Sequence, residues 1–309
     1  MKVFLSFFLL IVPQCCCRSS LCAHRSNPHI TPLICPSNSE NHYVCPRFVS
    51  NETHGHNLQS PFVVAEQLKW SATLNAYIQK LHAKDAAVMF AGDSLTGTMV
   101  MQIKCLENFA KIRANETSVT TTFSSTLLAH LHKNYTAEGI PRNSVTTASW
   151  YEGTKAANFT RKFVVINVGA WWGHVKHRQG DKGAVNRQAE HAYRVHFSAH
   201  SDLMIHIRSL IQDHNVTVIW RDTSPAGICG EHDKYLDHGQ FSAFNDIARK
   251  ALLKEGVLML DIWNATLPYW DQHIGGGDQL HYCVYQVESA QNVWIKALIE
   301  LISNDLDTH

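Results

Sequence analysis

The sequence predicts an α/β domain in which helices cover a central, mainly parallel β-sheet. Short apolar runs alternate along the chain with longer segments whose apolar residues recur at helical spacing. The short runs are almost continuously apolar, as strands buried on both faces are. Strands that alternate with helices in this way are typical of a parallel sheet covered on both sides. No Pro-, Gly- or Ser-rich linker divides the 309 residues, so the sequence favours one such domain.

The predicted elements follow one another in a regular order. The expected strands cover residues 86–90, 163–168, 216–220 and 257–262. The expected helices cover residues 64–82, 98–112, 200–214, 241–253 and 287–302. The β-prone stretches 117–123 and 145–149 are expected to be peripheral strands or insertions. Ligands of parallel sheets bind outside the carboxyl ends of the strands, so the residues that follow each strand are the candidates for a site.

The N-terminus predicts entry into the secretory pathway. Lys2 precedes an apolar run over residues 3–12, which has the charge and length of a signal peptide. The run is shorter than the roughly 20 residues that cross a bilayer as a helix. We expect a signal peptide over 1–20, with an uncleaved anchor as the alternative, then an irregular Cys- and Pro-containing segment over 21–62 and the folded domain over 63–309. The expected location is the Golgi lumen or the extracellular space, with no stable membrane span after cleavage.

Sequons and cysteines fit the same compartment. Six Asn-x-Ser/Thr sequons begin at Asn51, Asn115, Asn134, Asn158, Asn215 and Asn264. Cleavage between residues 17 and 20 would leave an even set of cysteines, enough for three disulfides: Cys22, Cys35, Cys45, Cys105, Cys229 and Cys283. Cleavage after Ala23 would leave five, and Cys105 could equally be a buried free thiol. The net charge of +1, without a dense Lys or Arg run, excludes nucleic acid and acidic membrane surfaces as favoured partners.

Ser94 is the candidate nucleophile. It ends the triplet Gly92-Asp93-Ser94, which directly follows the first predicted strand and precedes a predicted helix. A strand-turn-helix of this kind can expose a serine close to a helix N-terminus, where N–H groups stabilise a forming oxyanion. The alternative is an ordinary turn with a serine that caps the helix.

Asp278 and His281 are the candidate orienting acid and general base. They lie in Asp278-Gln279-Leu280-His281, which we expect to be in a loop after the fourth strand. At three residues apart in a turn, the carboxylate can bond one imidazole nitrogen and leave the other to accept the serine proton. The chain order Ser, Asp, His is one that serine hydrolases use.

Further candidates follow the second and third strands. Asn167 and Gly169 could donate N–H groups to an oxyanion or form ordinary turn contacts. Trp171 and Trp172 could stack on a sugar ring or lie in the core. Arg221 could hold the nucleophile turn or a substrate group, and a structural pairing with Asp222 or Asp93 is equally compatible with the sequence.

A metal site is not expected. The candidate histidine pairs are His54 with His56, His130 with His132, and His174 with His177. None has a well-placed third ligand of the kind that zinc requires.

Four blocks of the sequence resemble, in chain order, those of the trichome birefringence-like / PC-esterase group of the GDSL/SGNH hydrolase-like superfamily. The blocks are Gly92-Asp93-Ser94, Asn167-Val168-Gly169-Ala170-Trp171-Trp172, Trp220-Arg221-Asp222-Thr223-Ser224-Pro225 and Asp278-Gln279-Leu280-His281-Tyr282-Cys283. The similarity extends over roughly residues 64–304. Where the family has Cys-x-His-Trp-Cys, this chain has Gln279-Leu280-His281-Tyr282-Cys283, and we expect Cys283 to pair with Cys229.

The resemblance implies an SGNH-like three-layer α/β/α fold with Ser94 as nucleophile, His281 as base and Asp278 as its partner. Family members move acetyl groups onto or off carbohydrate hydroxyls in the secretory pathway. The expectation is therefore a carbohydrate O-acetyltransferase or O-acetylesterase that forms an acyl-serine. It would bind no cofactor, and its acetyl donor is not specified. The alternatives are a non-catalytic module that binds glycans through Trp171 and Trp172, and a general secreted carboxylesterase.

Overall fold

The structure is a computed structural model, and it describes the part of the chain that contains most of the predicted elements. The described residues are 61–93, 95–100, 102–103, 129–130, 134–135, 141–142, 148–172, 182–225, 238–269, 273–275, 278–282 and 290–308. The expected signal peptide, the segment before residue 61, the β-prone stretch 117–123 and the cysteines of the expected disulfides, including the Cys229–Cys283 pair, lie outside these residues.

Strands and helices alternate over most of the described chain. The strands are β1 (Ala86–Gly92), β2 (Ala129–His130), β3 (Asn134–Tyr135), β4 (Pro141–Arg142), β5 (Arg161–Asn167), β6 (Val216–Arg221), β7 (Leu258–Leu260), β8 (His273–Gly275) and β9 (Asp278–Tyr282). The helices are α1 (Pro61–Ala83), α2 (95–100 and 102–103), α3 (Ala148–Ala156), α4 (Gly169–Trp172), α5 (Lys182–His196), α6 (Asp202–His214), α7 (His238–Leu252), α8 (Trp263–Thr266) and α9 (Ala290–Thr308).

The main sheet confirms the predicted α/β class. Its strand order is β2-β1-β5-β6-β7, and every neighbouring pair in it is parallel. The two-residue β2 lies beside β1, so four longer strands form the body of the sheet. The remaining described strands form two small antiparallel pairs, β3 with β4 and β8 with β9.

The central strands are buried because their sequences are apolar on both faces. The first six residues of β1 and the last five of β5 are buried without alternation. This pattern matches the continuous apolar runs on which the parallel sheet was predicted. β1 and β5 align from Ala86 with Arg161 to Gly92 with Asn167, so their carboxyl ends finish together.

Helix α6 shows how local sequence sets the element boundaries. The Ser201 hydroxyl accepts a hydrogen bond from the Met204 N–H and so caps the first turn. Asn215 ends the helix in the left-handed conformation at φ 51°, which Asn tolerates better than most residues. Between these ends, Leu203, Ile207 and Leu210 occupy one face and are buried.

One prediction about a peripheral element needs correction, and one helix was not predicted. The stretch 145–149, expected to be β-prone, enters helix α3 at residue 148, because helix packing outweighs the weak β-propensity of its residues. Helix α5 was not predicted. A signal was present in Ala189 and Tyr193 of the helix and in Phe197 directly after it, which recur at intervals of four and are all buried.

None of the helices in the described part of the chain is both long enough and apolar enough to cross a membrane.

Candidate functional site

The polar residues that follow the strands lie at one edge of the main sheet. Because β1, β5 and β6 are parallel, their carboxyl ends share an edge, and the register puts Gly92 beside Asn167. The N–H of Asp93 donates to the carbonyl oxygen of Asn167 at 3.0 Å. Arg221 is the last residue of β6, the next strand in the sheet. The structure therefore brings together four of the predicted site residues: Gly92, Asp93, Asn167 and Arg221.

Asp93 holds the turn between β1 and α2. Its Oδ1 accepts hydrogen bonds from the N–H groups of Leu95 (3.1 Å) and Thr96 (3.4 Å), as the cap of a helix does. Its Oδ2 accepts from the N–H of Ala170 at 3.0 Å and so ties the turn to α4. Ser94 lies between Asp93 and Leu95 and is outside the described residues. Both of its neighbours are buried and fixed by these bonds.

Arg221, the last residue of β6, reaches the same turn across the neighbouring strand β5. Its Nη2 lies 3.4 Å from Asp93 Oδ1 and donates to Thr96 Oγ1 and Asn167 Oδ1, both at 3.1 Å. Arg221 and Asp93 are completely buried, each side chain being 0% exposed. The guanidinium also lies over the ring of Trp294, 5.3 Å from its centroid. Of the roles that the sequence left open for Arg221, the structure shows the pairing with Asp93, in the turn that precedes Ser94.

The carboxamide of Asn167 is committed to the same network. Its Nδ2 donates to the carbonyl oxygen of Arg221 at 2.6 Å and to Thr223 Oγ1 at 3.1 Å, while its Oδ1 accepts from Arg221. The residue is 0% exposed. Both hydrogens of the Asn167 carboxamide therefore already have acceptors inside the protein, and the donation of an N–H group of Asn167 to an oxyanion stays a prediction.

Gly92 and Gly169 let the turns approach one another closely. A Cβ on Gly92 would collide with the Thr96 side chain and would lie 2.6 Å from the carbonyl oxygen of Asn167. A Cβ on Gly169 would collide with Thr223 Oγ1. Only a residue without a side chain fits at either position. Gly169 is the first residue of α4, beside the Ala170 N–H that bonds Asp93.

Burial and neighbouring charges shift the pKa values of Asp93 and Arg221 in opposite directions. Burial raises the pKa of Asp93, while Arg221 and the three N–H donors counteract that rise. Burial likewise lowers the pKa of Arg221, against the attraction of Asp93 and Asp222. A pair of this kind is costly to break, because removing one partner leaves the other charge buried and uncompensated.

A second charged cluster, which the sequence did not predict, joins the loop after β6 to helix α7 and to the residue that follows β7. Asp222 Oδ2 pairs with Arg249 of α7 at 2.7 Å, and Arg249 also reaches Asp261 at 3.3 Å. Asp222 Oδ1 has no hydrogen bond to any described residue. Burial raises the pKa of Asp222 to about 7, although Arg249 opposes the rise.

Asn245 of α7 fixes the backbone next to this cluster. Its carboxamide exchanges two hydrogen bonds with the backbone of Thr223, at 2.8 and 2.9 Å. Asn245 was not predicted, but a sequence signal existed. It follows Phe244 and precedes Ala248 on a helix face that is otherwise apolar, and a polar residue there requires an internal partner.

His281 lies on β9, which is anchored to the same edge. The hydroxyl of Tyr282 donates to the carbonyl oxygen of Pro225 at 2.6 Å, and the Tyr282 ring packs edge-on against Trp294 at 5.5 Å. Leu280 and Tyr282 are buried, whereas His281 between them is only half-buried. Successive strand residues face opposite sides, so His281 projects from the side of β9 opposite to these two anchors.

The expected loop around Asp278 and His281 is wrong. Residues Asp278–Tyr282 form strand β9, paired with β8 through Gly275 and Asp278. In a strand, residues three apart face opposite sides and are separated by about 10 Å, so the extended backbone does not supply the contact that a turn would. The side chain of Asp278 lies outside the described atoms. Its orienting role therefore stays a prediction.

Trp172 belongs to the core. It is buried and packs against Tyr193 at 5.4 Å and His196 at 5.3 Å. Of its two predicted roles, the sugar-stacking one is therefore corrected, because its ring is covered by α5. The side chain of Trp171 is outside the described atoms, as are those of the histidine pairs considered for metal binding. The described side chains contain no group of three or more His, Cys, Asp or Glu that could hold a metal ion.

No protein-family model matches this chain, and no curated protein matches it significantly. The assignment of a function therefore depends on the motifs and on the geometry of the sheet edge.

Proposed function

We propose that this protein is a carbohydrate O-acetyltransferase or O-acetylesterase of the PC-esterase type, with an SGNH-like three-layer α/β/α fold. Ser94 would be the nucleophile, His281 the general base and Asp278 its orienting partner. The observation that carries the proposal is the buried pair of Arg221 and Asp93, which fixes the residue before Ser94. The substrate would be a glycan in the secretory pathway.

The bonds around Asp93 support a nucleophile at position 94. A cap that only begins a helix needs one or two N–H groups and commonly lies at the surface. Asp93 accepts three N–H groups, from α2 and from α4, and meets a buried guanidinium as well. Immobilising a turn from several sides, at the cost of burying two charges, is typical of a position that must be preorganised for chemistry.

Contacts through Trp294 support His281 as the base. Tyr282, the residue after His281, packs against Trp294, and the ring of Trp294 also lies under the guanidinium of Arg221. Arg221 in turn meets Asp93, the residue before Ser94. A continuous series of buried contacts therefore joins the neighbour of the proposed base to the neighbour of the proposed nucleophile, although the two segments are distant in sequence.

The proposed chemistry begins when Ser94 Oγ attacks an acetyl carbonyl carbon as His281 accepts the hydroxyl proton. Backbone N–H groups of Ser94 and Gly169 would stabilise the oxyanion, since the Asn167 carboxamide is already used. The intermediate collapses to an acetyl-serine while His281 returns the proton to the leaving oxygen. A sugar hydroxyl or water then takes the acetyl group. The mechanism also requires Asp278, the first residue of β9, to leave its extended geometry and meet the imidazole.

One observation weighs against the alternative of a glycan-binding module. Trp172, one of its two proposed binding residues, is buried against α5. We therefore favour the enzyme.

Hydrolysis of an acetylated aryl ester tests the proposal. The wild type should release the phenol in a burst followed by slower turnover, and Ser94→Ala and His281→Asn should abolish both phases. Ser198→Ala, at an exposed serine in the turn after α5, is the matched control and should behave as wild type. Equal rates for the wild type and Ser94→Ala would refute the proposal.

A second assay separates the two reactions. The protein is incubated with the aryl acetate and an oligosaccharide, and acetylated sugar and free acetate are both measured by mass spectrometry. A transferase yields mainly acetylated sugar, whereas an esterase yields acetate alone, because water reaches its acetyl-serine.

A further inference from the structure

Three sequons lie in the described part of the chain, and each of their asparagines is exposed. They are Asn158, Asn215 and Asn264. An N-linked glycan is bulky and strongly hydrated, so its asparagine must be at the surface of the folded protein. All three positions meet this requirement.

Two of these asparagines lie at the edge of the sheet opposite to the candidate site. Asn158 precedes β5 by three residues, and Asn215 directly precedes β6. β5 and β6 are parallel neighbours, with Lys162 aligned to Val216, so both asparagines are at the amino ends of adjacent strands. The length of β5 separates this edge from Asn167 by about 20 Å. Asn264, on α8 after β7, belongs to the other edge and is not part of the proposal.

In each of these two sequons, the structure shows a role for one of the two residues that define the sequon and none for the other. Thr160 has a structural role, because its N–H and its hydroxyl both donate hydrogen bonds to Asp85 Oδ2, at 3.0 and 2.6 Å. Asn215 also has a structural role, since it ends α6 in the left-handed conformation. The side chains of Asn158 and Thr217, by contrast, have no hydrogen bond to any described residue. Valine would suit the strand at position 217 equally well.

We propose that Asn158 and Asn215 are N-glycosylation sites, both at the amino edge of the sheet and so on the side opposite to the candidate site. The donor would be a lipid-diphosphate-linked oligosaccharide in the secretory lumen. The side-chain amide nitrogen attacks the anomeric carbon, a C–N bond forms, the C–O bond to the diphosphate breaks, the amide loses a proton and the lipid diphosphate leaves. The modification accounts for Asn158 and Thr217, and it does not depend on the proposed acetyl chemistry.

Site-resolved mass spectrometry tests the proposal. The full chain is produced with its own N-terminus in eukaryotic cells, and the purified protein is digested with peptide N-glycosidase F in heavy-oxygen water. Glycosylated positions become labelled aspartate, which is expected at 158 and 215. Unlabelled asparagine at both positions would overturn the proposal, whether or not the protein has acetylesterase activity.

Variants that spare the local structure provide the control. Asn158→Gln removes the first sequon and leaves the Thr160–Asp85 bonds intact. Thr217→Val removes the second and leaves Asn215 to end α6. Each should lose one glycoform step on a gel, and the double variant should lose two. Thr160→Ser and Thr217→Ser keep the sequons and should keep the steps, and identical mobility of all variants would contradict the assignment.

Discussion

The guanidinium of Arg221 and the carboxylate of Asp93 meet 3.4 Å apart in a fully buried position at the carboxyl edge of the sheet. The two residues are 128 positions apart in the chain. Around them, Thr96, Asn167 and Trp294 complete the contacts of the guanidinium. This pair joins three strands and the first turn of α2 into one unit, so its removal should affect both stability and the proposed chemistry.

Arg221→Met should destabilise the protein strongly. It leaves the Asp93 carboxylate buried without its partner, which costs about 3–5 kcal/mol in the free energy of unfolding. Adding Asp93→Asn should recover part of that loss, because no unpaired charge then stays buried. Arg208→Met is the matched control. It breaks the partly exposed pair with Glu255 and should cost about 1 kcal/mol or less in chemical denaturation. Similar losses for the two methionine variants would contradict this account.

Tyr282→Phe should loosen β9 without unfolding the protein. It removes the hydrogen bond to the Pro225 carbonyl, which contributes about 1 kcal/mol, and keeps the ring against Trp294. Under the proposed function, kcat for the aryl acetate should fall while KM is unchanged, because His281 is less well positioned. Tyr151→Phe removes a comparable bond, to Ser209 between α3 and α6, and should leave kcat unaltered. A fall of kcat in both variants would mean that the effect is not specific to β9.

Gly169→Ala should be destabilising for a steric reason. The new methyl group would overlap Thr223 Oγ1, and overpacking of this kind costs about 1–3 kcal/mol. Thr223→Ala in the same chain should relieve the overlap, so the double variant should be more stable than the sum of the single effects predicts. Gly256→Ala provides the contrast, because that glycine has open space around it and a φ of +78°. Its cost, about 1 kcal/mol, should come from backbone strain and should not respond to Thr223→Ala.

Asp222 should make the protein less stable as the pH rises toward neutrality. Its pKa is about 7 in the folded protein against 3.8 in the unfolded chain, so the folded state binds the proton more tightly. The stabilising contribution is complete below pH 4 and is lost as the pH rises through 7. At about 1.36 kcal/mol per pKa unit it amounts to about 4 kcal/mol at most. Asp222→Asn should remove this dependence in denaturation curves measured from pH 4 to 8, whereas Asp261→Asn, at the exposed end of the cluster, should largely preserve it.

His196 should have the opposite effect on acid stability. Its Nε2 is enclosed beside Trp172, and burial lowers its pKa from 6.5 to about 4. The unfolded chain therefore takes up the proton first, and stability is lost as the pH falls from 6.5 toward 4. His196→Phe should abolish that loss. The free energy of unfolding of the variant minus that of the wild type should therefore be larger at pH 5 than at pH 8. His191→Phe, an exposed position on the same helix, should leave the pH dependence unchanged.

The elements that the sequence predicted well are those whose residues carry the pattern locally. The first strand was expected over 86–90 and extends over Ala86–Gly92, and the helix expected over 200–214 is Asp202–His214. Continuous apolar runs and helical spacing do not depend on distant partners. Helix α5 was not predicted because only Ala189 and Tyr193 are buried among its described side chains, and most of its other residues are polar or small.

Side-chain roles were harder to predict because burial depends on what packs above a residue. The sequence allowed Trp172 to be a binding residue, but in the folded protein two residues of α5 cover its ring. The segment from Asp278 to His281 reads as a turn beside its glycines, yet pairing with β8 draws it into a strand. Neither α5 nor β8 is encoded in the motif itself.

The sequence by itself determined that polar residues follow consecutive parallel strands, and that rule already located Asp93, Asn167 and Arg221 at one edge of a sheet. Only the tertiary structure decided which of them face one another and how deeply they are buried. The physical reason is the distance along the chain over which each kind of interaction acts. The apolar pattern that predicts a buried strand lies in residues that are neighbours along the chain. The partner of a buried charge is whichever group the fold brings within bonding distance, and for Arg221 that group is Asp93, 128 positions earlier and next to the serine on which the proposed chemistry depends.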